Sequence, residues 1–370
     1  MHHLSEELGR RPESLDDQIR SAVASRLDEL SRDGSWRSYV GPWSEQLQSE
    51  LSRVIGGAFC ELTCSGTAAL ELLMRGMGID KGDEVLLAGY DYPGTFAAIE
   101  RVGARPVLVD IDANGWGLDL DCLDIAYQPT CKALLVSHLH GSMQPLGRIS
   151  DWCRSRGVKL LQDACQCVGA TYQGRPLAEW SDAVFISFGG GKVLSAGRGG
   201  AWLTGDPQLA QHTKLAAGAG SGAFELSQLQ AAVVLAQLPY LSSVNNRCRE
   251  FFSSVGGALT RMRPLLSATW IKDINETAFY QAGWLMPLMG ENETTASVVS
   301  SKEQVLPYIK FGSGFPGFHR RSPRRCRIAS PLVNTARAAE QTKTVHYSVA
   351  TGGQITPELL ASRLAAEVGK

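Results

Sequence analysis

The strongest constraint on the fold is a series of short apolar runs that alternate with segments of helical periodicity. Runs rich in Val, Ile and Leu, each expected to be a strand, occupy residues 84–88, 105–111, 132–137, 158–163 and 183–188. Helical patterns over 94–102 and 146–156 lie between them. This alternation predicts βαβ units and a mostly parallel sheet with both faces covered by helices. The sequence therefore indicates a large α/β domain.

Three side chains with useful chemistry are expected at one edge of this sheet. Tyr92, Asp163 and Lys192 lie at or just beyond the ends of predicted strands. Ligands of open parallel sheets bind outside the carboxyl ends of the strands. Residues that are far apart in sequence would therefore meet in one site.

Lys192 lies in a glycine-rich stretch, residues 184–204, between two apolar strands. Partial burial there favours the neutral, nucleophilic form of a lysine, which suits Schiff-base chemistry. Taken alone, the stretch is also compatible with a surface turn. Two nucleotide-binding motifs are excluded. A P-loop would need glycine at Ile186 and Ser or Thr at Val193, and a dinucleotide fingerprint would need glycine at Leu194.

A second candidate element begins at Ser65. A short strand leads to this residue, and a helix follows with an apolar stripe formed by Leu70, Leu73, Met74 and Met77. Ser65 is a good N-cap, and the N–H groups of Gly66 and Thr67 would form an anion site at the positive end of the helix dipole. An ordinary helix start can have the same sequence, so this motif alone does not distinguish an anion site from a purely structural helix cap.

Composition excludes several classes of protein. The net charge of −1 over 370 residues argues against a general nucleic-acid binder. No apolar run approaches the length of a membrane span, and the first residues lack the features of a signal peptide. The nine cysteines show no paired spacing, which favours reduced thiols in a cytoplasmic protein without a metal site.

The remaining segments suggest three regions. Residues 1–35 form an N-terminal arm with a helix over 14–32, residues 36–245 form the large α/β domain, and residues 246–370 form a smaller α+β domain. Helices are also expected over 226–241, 245–259 and 357–368.

The large domain contains what a pyridoxal phosphate enzyme needs from its protein. Lys192 can bind the aldehyde, and Asp163 can keep the pyridine nitrogen protonated. The segment from Ser65 to Ala68 supplies a helix N-terminus for the phosphate, Ser187 a further hydroxyl, and Tyr92 an aromatic face for the ring.

Five motifs then occur in one order along the chain. They are Ser-Gly-Thr-Ala-Ala-Leu (65–70), Gly-Ala-Arg-Pro-Val-Leu-Val-Asp-Ile-Asp (103–112), Gln-Asp-Ala-Cys-Gln (162–166), Ser-Phe-Gly-Gly-Gly-Lys (187–192) and Leu-Ser-Gln-Leu-Gln-Ala-Ala (226–232). With these motifs the chain resembles the DegT/DnrJ/EryC1/StrS family of sugar aminotransferases, which have the aspartate-aminotransferase fold, PLP-transferase type I. The resemblance covers residues 55–250 well and the C-terminal third weakly.

The resemblance implies a role for each matching residue. Lys192 would form the internal aldimine and carry the proton, Asp163 would pair with the pyridinium, and Gln166 would meet the phenolic oxygen of the ring. The phosphate would bind to Gly66, Thr67 and Ser187, and the ring would stack on Tyr92. A related branch of the family consists of dehydratases with histidine in place of this lysine, so Lys192 favours transamination.

The chain departs from the family pattern in three places. Arg198 replaces the usual glutamate of a Gly-Glu-Gly-Gly motif, and Ala223–Glu225 replace a segment whose asparagine reaches the partner subunit's phosphate. Much of the substrate pattern of the C-terminal third is absent. The substrate candidates are Arg198, Arg320 within the arginine-rich run 319–327, and His346, although the run is equally compatible with a solvated loop. His138 and His140 have no third partner at metal-ligand spacing.

The sequence as a whole predicts a pyridoxal 5'-phosphate-dependent aminotransferase. The expected amino donor is glutamate or glutamine, and the expected acceptor is a nucleotide-linked keto-sugar or a keto-cyclitol. By resemblance, a homodimer with sites at the subunit interface is expected. Two alternatives stay open: a dehydratase or lyase on the same scaffold, and a cofactor-binding regulatory protein without turnover.

Overall fold

The computed structural model describes residues 14–218, 222–262, 274–286, 312–315, 322 and 324–367. Its strands are β1 (Phe59–Thr63), β2 (Glu84–Ala88), β3 (Arg105–Val109), β4 (Cys131–Ser137), β5 (Lys159–Asp163), β6 (Thr171–Tyr172), β7 (Arg175–Pro176), β8 (Ala183–Ser187), β9 (Gly200–Thr204), β10 (Gln281–Leu285), β11 (Gly312–Ser313), β12 (Arg327–Ile328) and β13 (Thr342–His346). Its α-helices are α1 (Leu15–Asp33), α2 (Pro42–Ile55), α3 (Gly66–Gly76), α4 (Pro93–Arg101), α5 (Leu120–Ala126), α6 (Leu146–Arg156), α7 (Pro207–Ala217), α8 (Gln228–Gln237), α9 (Leu241–Met262), α10 (Val333–Gln341), α11 (Ser348–Thr351) and α12 (Pro357–Glu367).

The central sheet has eight strands in the order β1-β9-β8-β5-β4-β2-β3-β12. The strands from β8 to β12 in this order pair in parallel, whereas β9 is antiparallel to both of its neighbours. A second sheet, β10-β13-β11, is antiparallel and belongs to the C-terminal part of the chain. The predicted α/β fold with a mostly parallel sheet is therefore confirmed.

The central strands read as continuous apolar runs because both of their faces are covered. Along β2, Val85 and Leu87 belong to one apolar cluster, while Leu86 and Ala88 belong to the cluster on the other face. Successive side chains of a strand point to opposite faces, so each strand supplies both clusters in alternation. Burial on both faces is the reason that no polar alternation marks these strands in the sequence.

The predicted helix over 226–241 is interrupted in the structure. The α8 helix begins after a capping box formed by Ser227 and Gln230, and it ends at Gln237. A 3-10 turn over Leu238–Tyr240 separates α8 from α9. Pro239 has no N–H for the α-helical ladder and its ring clashes with the preceding turn, which accounts for the break.

The predicted N-terminal helix is present as α1. Its first turn is capped by Ser14, whose Oγ accepts from the N–H of Asp17, and it ends at Gly34 with a φ of 72°. Leu30 is buried, and α1 packs against α8. The predicted region boundaries at residues 35 and 245 stay predictions; α9 runs across residue 245 without a break.

The contact between α3 and α7 generates a stability prediction. A Cβ atom placed on Gly76 would lie 2.8 Å from the Cα of Thr213 in α7, so Gly76→Ala should destabilise the protein by about 1–3 kcal/mol through overpacking. Gly147 in α6 is the matched control, because a Cβ there would have no heavy atom nearer than 3.8 Å. In Gly147→Ala the free energy of unfolding should increase by up to about 1 kcal/mol, because alanine has a higher helix propensity than glycine. Denaturant unfolding of both variants measures the difference, and equal gains would contradict the close packing.

Candidate active site

One pocket collects the predicted site residues of the large domain. It has a volume of about 430 Å³ and lies beyond the carboxyl ends of β5 and β8. The predicted residues that line it are Gly66, Thr67, Tyr92, Asp163, Gln166, Ser187, Lys192 and Arg198. Strand register explains why residues from different strands lie together here, because Ser137, Asp163 and Phe185 are cross-strand partners in adjacent parallel strands. The individual roles of these residues stay predictions.

The N-terminus of α3 forms one end of the pocket. Ser65 caps the helix, with its Oγ accepting from the N–H of Ala68 at 3.0 Å. The N–H groups of Gly66 and Thr67 precede the first intrahelical bond, which Ala69 donates to the Ser65 carbonyl. The Ser187 hydroxyl accepts from the N–H of Gly189 at 3.2 Å and keeps its own proton for a ligand. These donors suit a phosphate group.

Two glycines allow this helix end to approach the sheet. A Cβ atom on Gly200 would lie 2.5 Å from the backbone nitrogen of Gly66 and 2.7 Å from the Ile186 carbonyl oxygen. A Cβ atom on Gly66 would lie 3.0 Å from the Cβ of Ser187. Any other residue at position 200 would push the anion-binding N–H groups away from β8.

Lys192 is half-buried on the turn that joins β8 and β9. Its N–H donates to the Gly189 carbonyl at 3.3 Å, and its Nζ lies 3.9 Å from the centre of the Tyr280 ring. A cation over an aromatic face is electrostatically favourable. Tyr280 is a site residue that the sequence analysis missed, because it lies in the C-terminal third and no motif surrounds it.

Asp163 ends β5 and is buried. Its Oδ1 accepts from the N–H of Cys165 at 2.8 Å. Burial raises the pKa of this carboxyl group, while hydrogen bonds from Cys165 and the positive charge of Lys192 act in the opposite direction. A cationic ligand group beside Asp163 would stabilise its ionised form.

Asp91 is a second buried acid, which the sequence analysis also missed. It is fully buried, and its carboxylate accepts from the Ser137 hydroxyl at 2.7 and 2.9 Å and from the N–H of Tyr92 at 2.6 Å. Burial and the nearby charge of Asp163 raise the pKa of Asp91 to about 8. Its position just after β2, like that of Asp163 at the end of β5, was the available signal.

Gln166 and Tyr92 border the pocket from two other elements. The Oε1 of Gln166 accepts from the N–H of His140 at 3.1 Å, which leaves the amide nitrogen as the donor group for a ligand. Tyr92 precedes α4 and is 51% exposed, so its ring is accessible from the pocket. Both positions are compatible with the predicted contacts to a planar ring.

The predicted substrate residues fall in different places. Arg198 is exposed at the pocket, whereas His346 is absent from the pocket lining and Arg320 lies outside the described residues. Within the arginine-rich run, Arg325 pairs with Glu100, and Arg327 forms two hydrogen bonds of 2.7 and 2.8 Å to Glu84. These two arginines are thus engaged by carboxylates away from the pocket.

His138 and His140 are buried and bound within the chain. The Nε2 of His138 lies 2.9 Å from Gln162 Oε1, and that of His140 lies 3.0 Å from the Tyr90 hydroxyl. Burial lowers the pKa of His138 to about 4 and that of His140 to about 3. Both rings therefore serve as neutral hydrogen-bonding groups at neutral pH.

The donor set of the pocket fits pyridoxal phosphate. The start of α3, the Ser187 hydroxyl, the buried carboxyl group of Asp163, the Lys192 amine and the exposed ring of Tyr92 all line it. The fold and this pocket define a type I aminotransferase scaffold.

The chain belongs to the DegT/DnrJ/EryC1/StrS aminotransferase family, whose model matches residues 17–353. The predicted family is therefore confirmed. The chain is 31% identical over 237 residues to GDP-perosamine synthase of Caulobacter vibrioides, a match that covers 59% of this chain and 64% of that protein. It is 32% identical over 265 residues to dTDP-3-amino-3,4,6-trideoxy-alpha-D-glucose transaminase of Streptomyces venezuelae, covering 66% of this chain and 67% of that protein.

A solved structure shows the same fold. The crystal structure of 3-amino-5-hydroxybenzoic acid synthase superposes with a TM-score of 0.80 at 23% identity, covering 94% of this chain and 96% of that one. Among the residues that the structure describes, no helix has the length and apolar character needed to cross a membrane.

The buried Asp91 generates a pH prediction. Its folded-state pKa is raised, so between about pH 4 and pH 8 the folded protein holds a proton that the unfolded chain has released. Folding stability contributed by this group is therefore lost as the pH rises through that window. Asp91→Asn keeps one oxygen that can accept from the Tyr92 N–H and the Ser137 hydroxyl, and it does not titrate. Its stability relative to wild type should therefore increase with pH by up to about 1.4 kcal/mol per unit.

Urea unfolding at several pH values between 5 and 8 measures this difference. Asp151→Asn, which removes an exposed carboxylate from α6, controls for the loss of one negative charge. A stability difference for Asp91→Asn that does not change with pH would show that Asp91 is ionised throughout the window.

Proposed function

We propose that this protein is a pyridoxal phosphate-dependent aminotransferase that moves an amino group from glutamate or glutamine to a keto group. The acceptor is a nucleotide-linked keto-sugar or a keto-cyclitol. The observation that carries the proposal is that Lys192, the buried Asp163 and the N-terminus of α3 line one pocket. Family membership and the names of the relatives support the same reaction class.

Each end of the pocket would hold one part of the cofactor. The N–H groups of Gly66 and Thr67 and the Ser187 hydroxyl would bind the phosphate. Asp163 would bind the protonated ring nitrogen, and Tyr92 would pack on the ring face. When bound, pyridoxal phosphate supplies an aldehyde and an electron-accepting ring.

Lys192 would carry out the proton transfers of the reaction. Its Nζ would bind the aldehyde at rest and, once displaced by the donor amine, would move a proton from the donor carbon to the cofactor carbon in the first half-reaction. In the second half-reaction it would move a proton from the cofactor carbon to the acceptor carbon. Tyr280 would hold the released ammonium, because its ring already lies 3.9 Å from Nζ. The donor would leave as a keto acid before the acceptor enters, so we expect ping-pong kinetics.

The acceptor class is inferred from the relatives and from the pocket. The names of these two relatives describe amino sugars linked to GDP and dTDP. Arg198 lies exposed at the pocket, where its guanidinium suits a phosphate of such a substrate. The replacement of the family's glutamate by Arg198 makes this residue the first candidate for substrate selection.

We also propose a cytoplasmic homodimer. All nine cysteines are free, and a reducing compartment keeps thiols in that state. The family resemblance supports a dimer with sites at the subunit interface. The segment Ala223–Glu225 lies close to the site, since the Phe224 carbonyl accepts from the N–H of Cys64 next to the helix cap. A partner subunit would meet the pocket near this segment.

The visible absorption spectrum tests the proposed function. Wild type with pyridoxal phosphate should show the band of the lysine-bound cofactor, and glutamate or glutamine should replace it by the band of pyridoxamine phosphate. Lys192→Ala should lack the first band and lose at least about 10³-fold in turnover, since it removes both the bond to the cofactor and the proton carrier. Lys214→Ala, which removes a lysine paired with Glu61 on the protein surface, is the matched control.

The outcomes separate the alternatives. A bound cofactor that no amino donor converts would contradict the aminotransferase and support a regulatory role. Release of water or ammonia without a keto-acid product would support a dehydratase or lyase. If the wild-type protein shows no cofactor band, the assignment of pyridoxal phosphate as its cofactor is wrong.

A further inference from the structure

We propose that His346 is a positioning residue for Lys192, and that it acts from the C-terminal part of the chain by fixing the peptide group that precedes the lysine. The proposal rests on the proposed function, because that function assigns Lys192 to the cofactor. It replaces the expectation from the sequence that His346 contacts substrate.

Both nitrogen atoms of His346 are committed within the chain. Nε2 lies 2.9 Å from the Gly191 carbonyl oxygen, and Nδ1 lies 2.8 Å from the Ser348 hydroxyl. A carbonyl oxygen only accepts hydrogen bonds, so Nε2 carries a proton, and Nδ1 accepts from the N–H of Ser348 at 3.3 Å. The ring is therefore used as a neutral donor, and burial, which lowers the pKa of His346, favours the same form.

The bond to Gly191 restrains one particular peptide group. The carbonyl of Gly191 and the N–H of Lys192 belong to the same planar unit. His346 holds the carbonyl end, and the Gly189 carbonyl accepts from the N–H end at 3.3 Å. With both ends bound, the plane cannot rotate freely, and the direction in which the Lys192 side chain leaves the backbone is set.

The glycines of this turn make an external restraint necessary. Gly190 and Gly197 adopt φ values of 59° and 75°, a conformation in which glycine supplies no side chain to stiffen the backbone. The far side of the turn is held by Gln237 of α8, whose amide binds both the N–H and the carbonyl of Ser195. His346 is the corresponding restraint on the Lys192 side.

The same histidine is connected to the resting place of the lysine amine. Its ring packs at 86° against Tyr280, with 5.3 Å between the ring centres, and Tyr280 carries the Lys192 Nζ on its face. The Tyr280 backbone donates to the Gln166 carbonyl and accepts from the N–H of Tyr347. Tyr280, directly before β10, and His346, at the end of β13, together therefore contact the amine of Lys192 and the peptide group that precedes it.

Cofactor capture by the full-length apo-protein tests the proposal. Pyridoxal phosphate must bond to Lys192, whereas pyridoxamine phosphate has an amine in place of the aldehyde and cannot. His346→Leu should slow the capture of pyridoxal phosphate, trapped with borohydride, about tenfold or more, because the amine is no longer aimed at the aldehyde. Its Kd for pyridoxamine phosphate should change by less than about twofold, since that ligand does not use the lysine.

Three further variants sharpen the test. His346→Gln keeps an N–H donor and should recover most of the capture rate. Ser348→Ala removes the hydroxyl bond to Nδ1 but keeps the N–H of residue 348 that also donates to Nδ1, so its rate should stay close to that of wild type. His212→Leu makes the same substitution at an exposed histidine of α7 and should behave as wild type. Hydrogen exchange of residues 189–197 should accelerate in His346→Leu but not in His212→Leu.

Several results would overturn the proposal. An unchanged capture rate with unchanged exchange would remove it, and an equal loss of affinity for pyridoxamine phosphate would indicate general misfolding instead. A higher KM for the keto-sugar in His346→Leu, with an unchanged rate of pyridoxal phosphate capture, would indicate that His346 contacts the substrate instead. If wild type captures pyridoxal phosphate without turnover, the proposed function fails while the positioning role stands. If it captures none, the exchange data still decide the positioning role.

Discussion

The site depends on a backbone-to-backbone contact between the start of α3 and the antiparallel pair β8 and β9. Gly200 has no room for a side chain because the nitrogen of Gly66 and the carbonyl of Ile186 occupy that space. This contact fixes the anion-binding N–H groups beside the ends of β5 and β8, where Asp163 and the Lys192 turn begin. Displacement of the helix end by a single methyl group would separate the phosphate cradle from the lysine.

Electrostatics gives the pocket its second constraint. Two carboxyl groups, Asp91 and Asp163, are buried close to each other, and Lys192 is the cation near Asp163. Two negative charges in a poorly solvated space repel, so one proton is favoured on the pair until a positive group arrives. A ligand with a cationic ring nitrogen and an anionic phosphate matches this distribution from one end of the pocket to the other.

The C-terminal part of the chain completes a site that the large sheet only begins. His346 of β13 and Tyr280 just before β10 contact the lysine turn and its amine, and β12 extends the central sheet beside β3. The same part carries the weakest resemblance to the family. Under the proposed function, this region would both support Lys192 and contribute to the choice of acceptor.

Local signals in the sequence determined the strands of the central sheet other than β12, most helix positions, the cap at Ser65 and the glycine turn, because burial on both faces, capping and left-handed backbone restrict the neighbouring residues. The five motifs indicated the family and contain many of the residues that line the pocket, although Tyr280 lies outside them. Only the tertiary structure revealed the contacts of Asp91, Tyr280 and His346. The raised pKa of Asp91 comes from burial against Asp163, and the partner of His346 lies far away in sequence at Gly191. Such contacts form only when strands pair, and no periodicity records them.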